Sequence, residues 1–422
     1  MYSYTILERK LVEKMLYFEI KKVFVKLSSK LACIFLMFIL GVTCYISITD
    51  IKFVNENGET TIGIHAIQEL KRQKNNWSGY LTEEKIAEVI SENNRIINTQ
   101  EYRSEDVKQN NIAYGWRQGI SDIRSLMVYS YGKFREYDYY IPDNLKAEDA
   151  EKFYSNRILN LQEWLNTDAN NQFSEEEKEY LIAQYESLEV PLYYEAADGW
   201  KQLLENSPTI LMIMVFVLGF LVSNIFPSEK QLKAESIFFS AMHGRDRAIL
   251  AKIKAGIWIT TIIYWGVMIV FSAVVLGVLG ADGAYCKIQT SMAGWKSFYN
   301  ISYLQEYLIV MFGGYIGTVF IILLTMLVSV KTKSAVLAVI VPFIVVFIPS
   351  FLNSSSNYIV AKLLGLLPDQ LLQLNVAISY FNLYDIGIQI IGAVELLFII
   401  YLIGIILLCP MLYSTNKRIP GK

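Results

Sequence analysis

The residues able to carry chemistry in this chain are few and scattered. Histidine occurs twice, at His65 and His243, and cysteine four times, at Cys33, Cys44, Cys286 and Cys409. A zinc site draws three or four such ligands together, and neither type clusters here. A phosphate-cradling loop needs spaced glycines ahead of a Lys-Ser or Lys-Thr pair. The nearest string, Tyr131-Gly132-Lys133-Phe134, lacks the upstream glycine and the hydroxyl. No Gly-x-Ser-x-Gly nucleophile elbow occurs either. The chain is therefore expected not to be an enzyme by itself and to hold no metal or cofactor. What remains is one carboxylate within an apolar run, Glu395, and one charged stretch between two such runs, Ser236–Gly256.

Those apolar runs set the class. Of 422 residues, 53% are hydrophobic and 18% charged, with a mean hydropathy of +0.32, and the charges are very unevenly spread. About 20 consecutive apolar residues cross a hydrocarbon core of about 30 Å. Six runs meet that length: Leu31–Thr49, Pro208–Phe226, Ala255–Gly280, Tyr307–Val330, Ser334–Phe351 and Ile386–Tyr413, the last containing Glu395. The first run is too long for a signal-peptide core and no small-residue cleavage site follows it, so it is expected to stay as an anchor. The expected fold class is an all-α polytopic membrane protein with six transmembrane helices. A mainly helical extracytoplasmic domain is expected between spans 1 and 2.

Orientation follows from Lys and Arg in the short flanking segments. Residues 1–30, the loop 227–254, Lys331, Lys333 and the tail carry eighteen of them. The loops 281–304 and 352–385 carry three: Lys287, Lys296 and Lys362. Both termini are thus expected in the cytoplasm of a cell with a plasma membrane crossed six times. The divisions are a cytoplasmic interfacial helix at 1–30, span 1 at 31–49, the extracytoplasmic domain at 50–206, and spans 2 to 6 within 207–422. The last part includes a cytoplasmic loop at 227–252 and a candidate re-entrant segment at 352–385.

Residues 50–205 carry 17 Lys/Arg against 29 Asp/Glu, a net charge of −12, and no cysteine. The periodicity is helical. Thr82 followed by Glu83 and Glu84 reads as an N-cap with acids at the positive helix end. Ile86, Val89 and Ile90 form one stripe, Phe153, Ile158, Leu161 and Leu165 a second, and Tyr180, Leu181, Tyr185 and Leu188 a third. At about 155 residues the segment is expected to bury a core of its own. The run Tyr129–Tyr140 holds six aromatic residues in twelve. Most are expected in the core, and the run could also hold an apolar or peptidic cargo.

The cytoplasmic stretch Glu229–His243 reads as a short amphipathic helix. Leu232, Phe238, Phe239 and Met242 supply apolar surface, and Lys230, Lys233 and Glu235 supply charge. Gly244 stands where a helix C-cap belongs, and Asp246 can cap the helix leading into span 3. One reading lays this helix in the headgroups, with its lysines on anionic lipid. The other docks it in a partner protein, with Phe238 and Phe239 as the anchor.

In these features the chain resembles the permease subunit of an ATP-binding-cassette exporter of the type-2 permease class. The resemblance rests on the basic lead YFEIKKVFVKLSSK, the loop FPSEKQLKAESIFFSAMHGRDRAILAKIKAG and the six-span count, and it covers the membrane portion of about 250 residues. It implies that the loop is a coupling helix inserted into a separate ATPase subunit, which binds ATP-Mg. Glu235, Phe238, Phe239, His243, Gly244 and Arg245 would face that ATPase. It further implies a second permease subunit, identical or homologous, and export of a lipid-like, peptide or antibiotic-type cargo. The long insertion after span 1, with WSGYLTEEKIAEVI and YEAADGW, is similar to permeases of Gram-positive bacteria that carry such a domain. The rival reading is a membrane-anchored receptor or immunity protein that binds a peptide without transport. Membrane lipids are expected partners and nucleic acid is not.

Three further readings stay open. The segment 352–385, broken by Pro368, forms either two half-helices at the outer mouth, shielded by protein, or a surface hairpin. Glu395 is either an intramembrane functional group or the partner of a neighbouring polar group, while Glu306 is expected to be interfacial. Gly313 and Gly317 form a small-xxx-small pair that packs within the subunit or seals a dimer.

Overall fold

A computed structural model describes residues 2–228, 244–352, 358–387 and 389–418. It is mostly helical. Helix α1 (Tyr2–Phe24) is followed, after an extended Lys26, by α2 (Leu27–Thr49). A long inter-span segment follows and runs into α10 (Asp198–Ser223). Then come α11 (Gly244–Leu279), α12 (Tyr303–Thr332), α13 (Ala335–Leu352), two short helices, α14 (Tyr358–Leu364) and α15 (Leu374–Ile378), and finally α16 (Ala393–Arg418). Among the described residues, five helices are long and apolar enough to cross a membrane: α2, α10, α11, α12 and α16. The remaining apolar helix, α13, is shorter and carries Pro342 and Pro349.

Helix ends follow local chemistry. At α12 a capping box closes both ways: Ser302 Oγ accepts from the Gln305 amide at 3.3 Å, and Gln305 Oε1 accepts from the Ser302 amide at 2.8 Å. The same helix stops at Lys333, which has a left-handed φ of 56° and separates α12 from α13. Helix α10 begins ten residues before the apolar run at Pro208. Its first turns bear Asp198 and Lys201 and belong to the inter-span segment, so the boundary expected at 206/207 falls inside one continuous helix.

The last span also starts later than hydropathy suggests. Leu383–Asp385 (β5) pairs antiparallel with Ile390–Gly392 (β6), and α16 begins at Ala393. Gly387, at φ 79°, supplies the turn conformation that an L side chain resists.

Within the inter-span segment the expected helices are present. Helix α4 (Glu83–Ile97) is capped by Thr82, whose side chain accepts from the Lys85 amide, and Ile86, Val89 and Ile90 are fully buried. Helix α8 (Phe153–Asn166) buries Phe153, Leu161 and Leu165. Helix α9 (Glu175–Glu186) starts with a Ser174–Glu177 capping box. Strands in this segment are two residues long, pairing Phe53–Val54 with Thr60–Thr61 and Gly79–Tyr80 with Tyr193–Tyr194.

The core of this segment is mostly its own, but three buried side chains from elsewhere complete it. Trp295, from the α11–α12 loop, is 2% exposed and packs among Ile86, Ile90, Met127 and Phe153. Phe298 of the same loop and Leu383 of the hairpin complete a second cluster around Leu161, Trp164 and Tyr185. Arg157, 4% exposed, fastens this junction. Its guanidinium donates to the carbonyls of Trp295 at 3.1 Å, Ser297 at 3.0 Å and Tyr185 at 3.4 Å, and lies 3.7 Å from the centre of the Tyr185 ring. Lys362 of α14 adds an ion pair to Glu177 at 2.7 Å.

Candidate functional site

Where the inter-span segment meets the helix ends there is a cavity of about 790 Å³. That is within the roughly 300–1,000 Å³ usual for small-molecule sites. Five parts of the chain line it. Helix α7 (Ser121–Tyr131) and the residues after it give Asp122, Tyr129, Phe134 and Arg135. The start of α10 gives Lys201, Leu204 and Glu205, and the α11–α12 loop gives Met292 and Lys296. Helix α12 contributes Tyr303 and Glu306 from its first turn, and residues 375–381 contribute Asn375, Val376, Tyr380 and Phe381.

One wall is an ion network. Lys201 Nζ lies 2.7 Å and Lys74 Nζ 3.3 Å from Asp122 Oδ2, and Lys74 also pairs with Asp198 at 2.6 Å. Tyr194 Oη donates to Asp122 at 3.2 Å. Burial alone would push the Asp122 carboxyl up; the two ammonium groups outweigh it and hold it well below the usual range. This wall is internally satisfied and ties α7 to α10.

The other charged groups are not satisfied in that way. Glu306 is 7% exposed, and no hydrogen bond or ion pair reaches its carboxylate among the described residues. Lys296 has no carboxylate partner among them. Its ammonium stands 4.4 Å from the Tyr129 ring centre and 5.3 Å from that of Phe134. Burial, reinforced by the charge of Arg135, brings Lys296 down to about 8. The amine is therefore protonated below that pH and free above it. At pH 8 about half of Lys296 is nucleophilic, against about 0.3% of a lysine with the ordinary value near 10.5. An amine-acylating ester applied to the folded protein at pH 8 is expected to modify Lys296 well ahead of exposed lysines such as Lys133. Peptide mass spectrometry across pH 6–10 checks this, and a midpoint near 10 for Lys296 would contradict it.

Glu395 occupies the first turn of α16, is exposed, and accepts from Tyr299 Oη at 3.1 Å. It sits at the end of the helix rather than inside it, because the hairpin takes up the first seven residues of the apolar run. Glu306 is likewise in a first turn, and it is buried by protein. Gly313 and Gly317 face inward: a Cβ on Gly317 would lie 2.7 Å from Leu371 Cβ, and one on Gly313 would overlap Leu374. Of the aromatic run, Tyr129 and Phe134 reach the cavity. Tyr137, Tyr139 and Tyr140 are 37–62% exposed, against the expectation of a core. Tyr139 is covered in part by the guanidinium of Arg124, 4.2 Å from its ring centre.

Glu235, Phe238, Phe239 and His243 lie outside the described residues. Gly244 and Arg245 open α11, with Asp246 in its first turn. Asp246 pairs with Lys417 of α16 at 3.3 Å, and the buried Lys252 donates to the Ile225 carbonyl at 2.8 Å. Helix α1 packs along α11.

Sequence reasoning singled out neither Lys296 nor Glu306 as a site. The available signals were that Lys296 is one of three basic residues in the loops opposite the basic face, and that Glu306 is a lone acid opening an apolar run. No family model, curated protein or solved structure matches this chain.

Proposed function

We propose that the chain is the membrane-spanning permease subunit of an ATP-driven exporter of the type-2 permease class, paired with a separate ATPase and a second permease subunit. The observation that carries this reading is the cavity. A receptor anchored by one helix has no need of a binding space floored by the ends of two candidate spans, α10 and α12. Here such a space opens where they meet the broken segment 358–378. That segment packs on Gly313 and Gly317, ten to fourteen residues along α12, or about 15–21 Å from its start. Such a depth suits a re-entrant element shielded by protein. In this reading α13 is the fifth of six spans and α16 the sixth, both termini are cytoplasmic, and residues 50–197 are extracytoplasmic. The cytoplasmic loop 227–252 receives the ATPase stroke, and the cavity handles cargo at the outer face.

One experiment tests topology and partnership together. In a background with the four native cysteines replaced, Tyr285→Cys, at a site 84% exposed, and Val107→Cys, at a site 73% exposed, are expected to react with an impermeant maleimide in intact cells. Lys331→Cys is expected to react after permeabilisation alone. Gentle purification of the same protein is expected to bring an ATPase with it. Labelling of position 331 in intact cells sinks the topology. Correct labelling without any ATPase favours peptide binding without transport.

A further inference from the structure

Outside the Asp122 network, the cavity is lined by charges of both signs that form no ion pair with one another among the described residues. Glu306 is nine-tenths buried, lines the space and has no partner among the described residues. A carboxylate in that position is costly unless a cation comes to it or it takes a proton. Lys296 and the exposed Arg135 also line it beside aromatic rings, with no carboxylate paired to either among the described residues; Lys296 stands over Tyr129 and Phe134, and Arg135 lies 4.8 Å from the Trp164 ring centre. Met292, Val376 and Phe381 line the same space and present apolar surface, the first two 47% and 40% exposed.

We propose that this cavity binds a small zwitterionic amphiphile. Its anionic group lies on Lys296 and Arg135, its cationic group on Glu306, and its apolar chain along Met292, Val376 and Phe381. Each feature answers one component of the ligand. A simple anion leaves Glu306 bare, a simple cation leaves Lys296 bare, and a chainless zwitterion leaves the apolar wall wet. In calling this ligand the cargo, the proposal rests on the transport reading; the binding itself does not.

The test uses the full-length protein in phosphatidylglycerol vesicles, a lipid with no cationic group to occupy the site. Four probes are compared by equilibrium binding, with protein-free vesicles as the blank: octylphosphocholine, free phosphocholine, octyltrimethylammonium and octyl sulfate. Saturable binding of octylphosphocholine is expected, about tenfold or more tighter than any of the other three. Glu306→Gln is expected to weaken octylphosphocholine and octyltrimethylammonium about tenfold while leaving octyl sulfate unchanged. Lys296→Gln is expected to weaken octylphosphocholine and octyl sulfate and spare octyltrimethylammonium. This opposite selectivity separates recognition from misfolding, since a collapsed site loses every probe. The proposal is overturned by absence of saturable octylphosphocholine binding, by a Glu306→Gln protein that binds it as well as wild type, or by free phosphocholine binding equally tightly. No ATPase enters the assay, so a failure here leaves the transport reading standing. A failed ATPase recovery, in turn, leaves this result standing.

Discussion

Replacing Arg157 with alanine is expected to detach the inter-span domain from the loops that complete it. The substitution leaves the carbonyls of Trp295, Ser297 and Tyr185 buried without a donor, and removes the cation from the Tyr185 ring. An orphaned buried polar group costs about 1–3 kcal/mol, and relief of the desolvated guanidinium offsets part of the sum. A net loss of about 2–4 kcal/mol raises the open population roughly 30- to 1,000-fold. The check is limited proteolysis of the purified protein, in which cleavage within residues 281–302 accelerates by that factor. Arg157→Lys is expected to behave nearly as badly, because one ammonium cannot serve three carbonyls held by a planar fork. Wild-type resistance in the alanine variant would overturn the assignment of Arg157 as the fastener.

If the chain is the proposed permease, the second large effect is expected at the loop 227–252. Truncating a hot-spot aromatic costs about 2 kcal/mol or more, roughly thirty-fold in affinity. The double change Phe238→Ala and Phe239→Ala is then expected to leave the protein inserted and folded while losing the ATPase proposed to accompany wild type. Changing Lys230 and Lys233 to Gln is expected to matter less, since exposed charges at an interface rim contribute little. A helix lying in the headgroups reverses that ranking, because each lysine near anionic lipid is worth about 1 kcal/mol. Recovery of the ATPase at matched expression decides between them, and undiminished recovery with the double variant would falsify the docking assignment.

Much of the membrane part is legible in the sequence because a span needs only length and apolarity. Leu31–Thr49 and Tyr307–Val330 lie inside α2 and α12, each within four residues of the observed ends. Hydropathy misplaces a boundary where an apolar stretch is not a helix. Ile386–Ile391 is as apolar as the span it precedes, yet Gly387 turns it into a hairpin. It also misses helix that is polar, as at Asp198–Ser207, where Asp198 and Lys201 are drawn into the Asp122 network. Residues near in sequence but split between core and surface defeat composition too. The Tyr129–Tyr140 run places Phe134 in a stacked pair with Trp164, with ring centres 4.8 Å apart, and leaves Tyr140 62% exposed. The cavity was out of reach for a different reason. Its charged groups come from residues 122 to 306, and nothing local marks Lys296 and Glu306 as lining one space.

The side chains borrowed by the inter-span core have a consequence for how the chain is made. Synthesis runs from the N-terminus, so residues 50–197 leave the ribosome well before Trp295 and Phe298 exist, and longer still before Leu383. Until those side chains have been translated and, in the proposed topology, delivered to the same side of the bilayer, the pockets among Ile86, Phe153, Leu161 and Tyr185 have no plug. The domain therefore reaches its finished state only after α11 and α12 have been inserted in the right sense, and the hairpin closes the second cluster just ahead of α16. A helix threaded the wrong way leaves the domain visibly incomplete on its far side. In that sense the domain works as an inspection stamp on the insertion of the membrane helices.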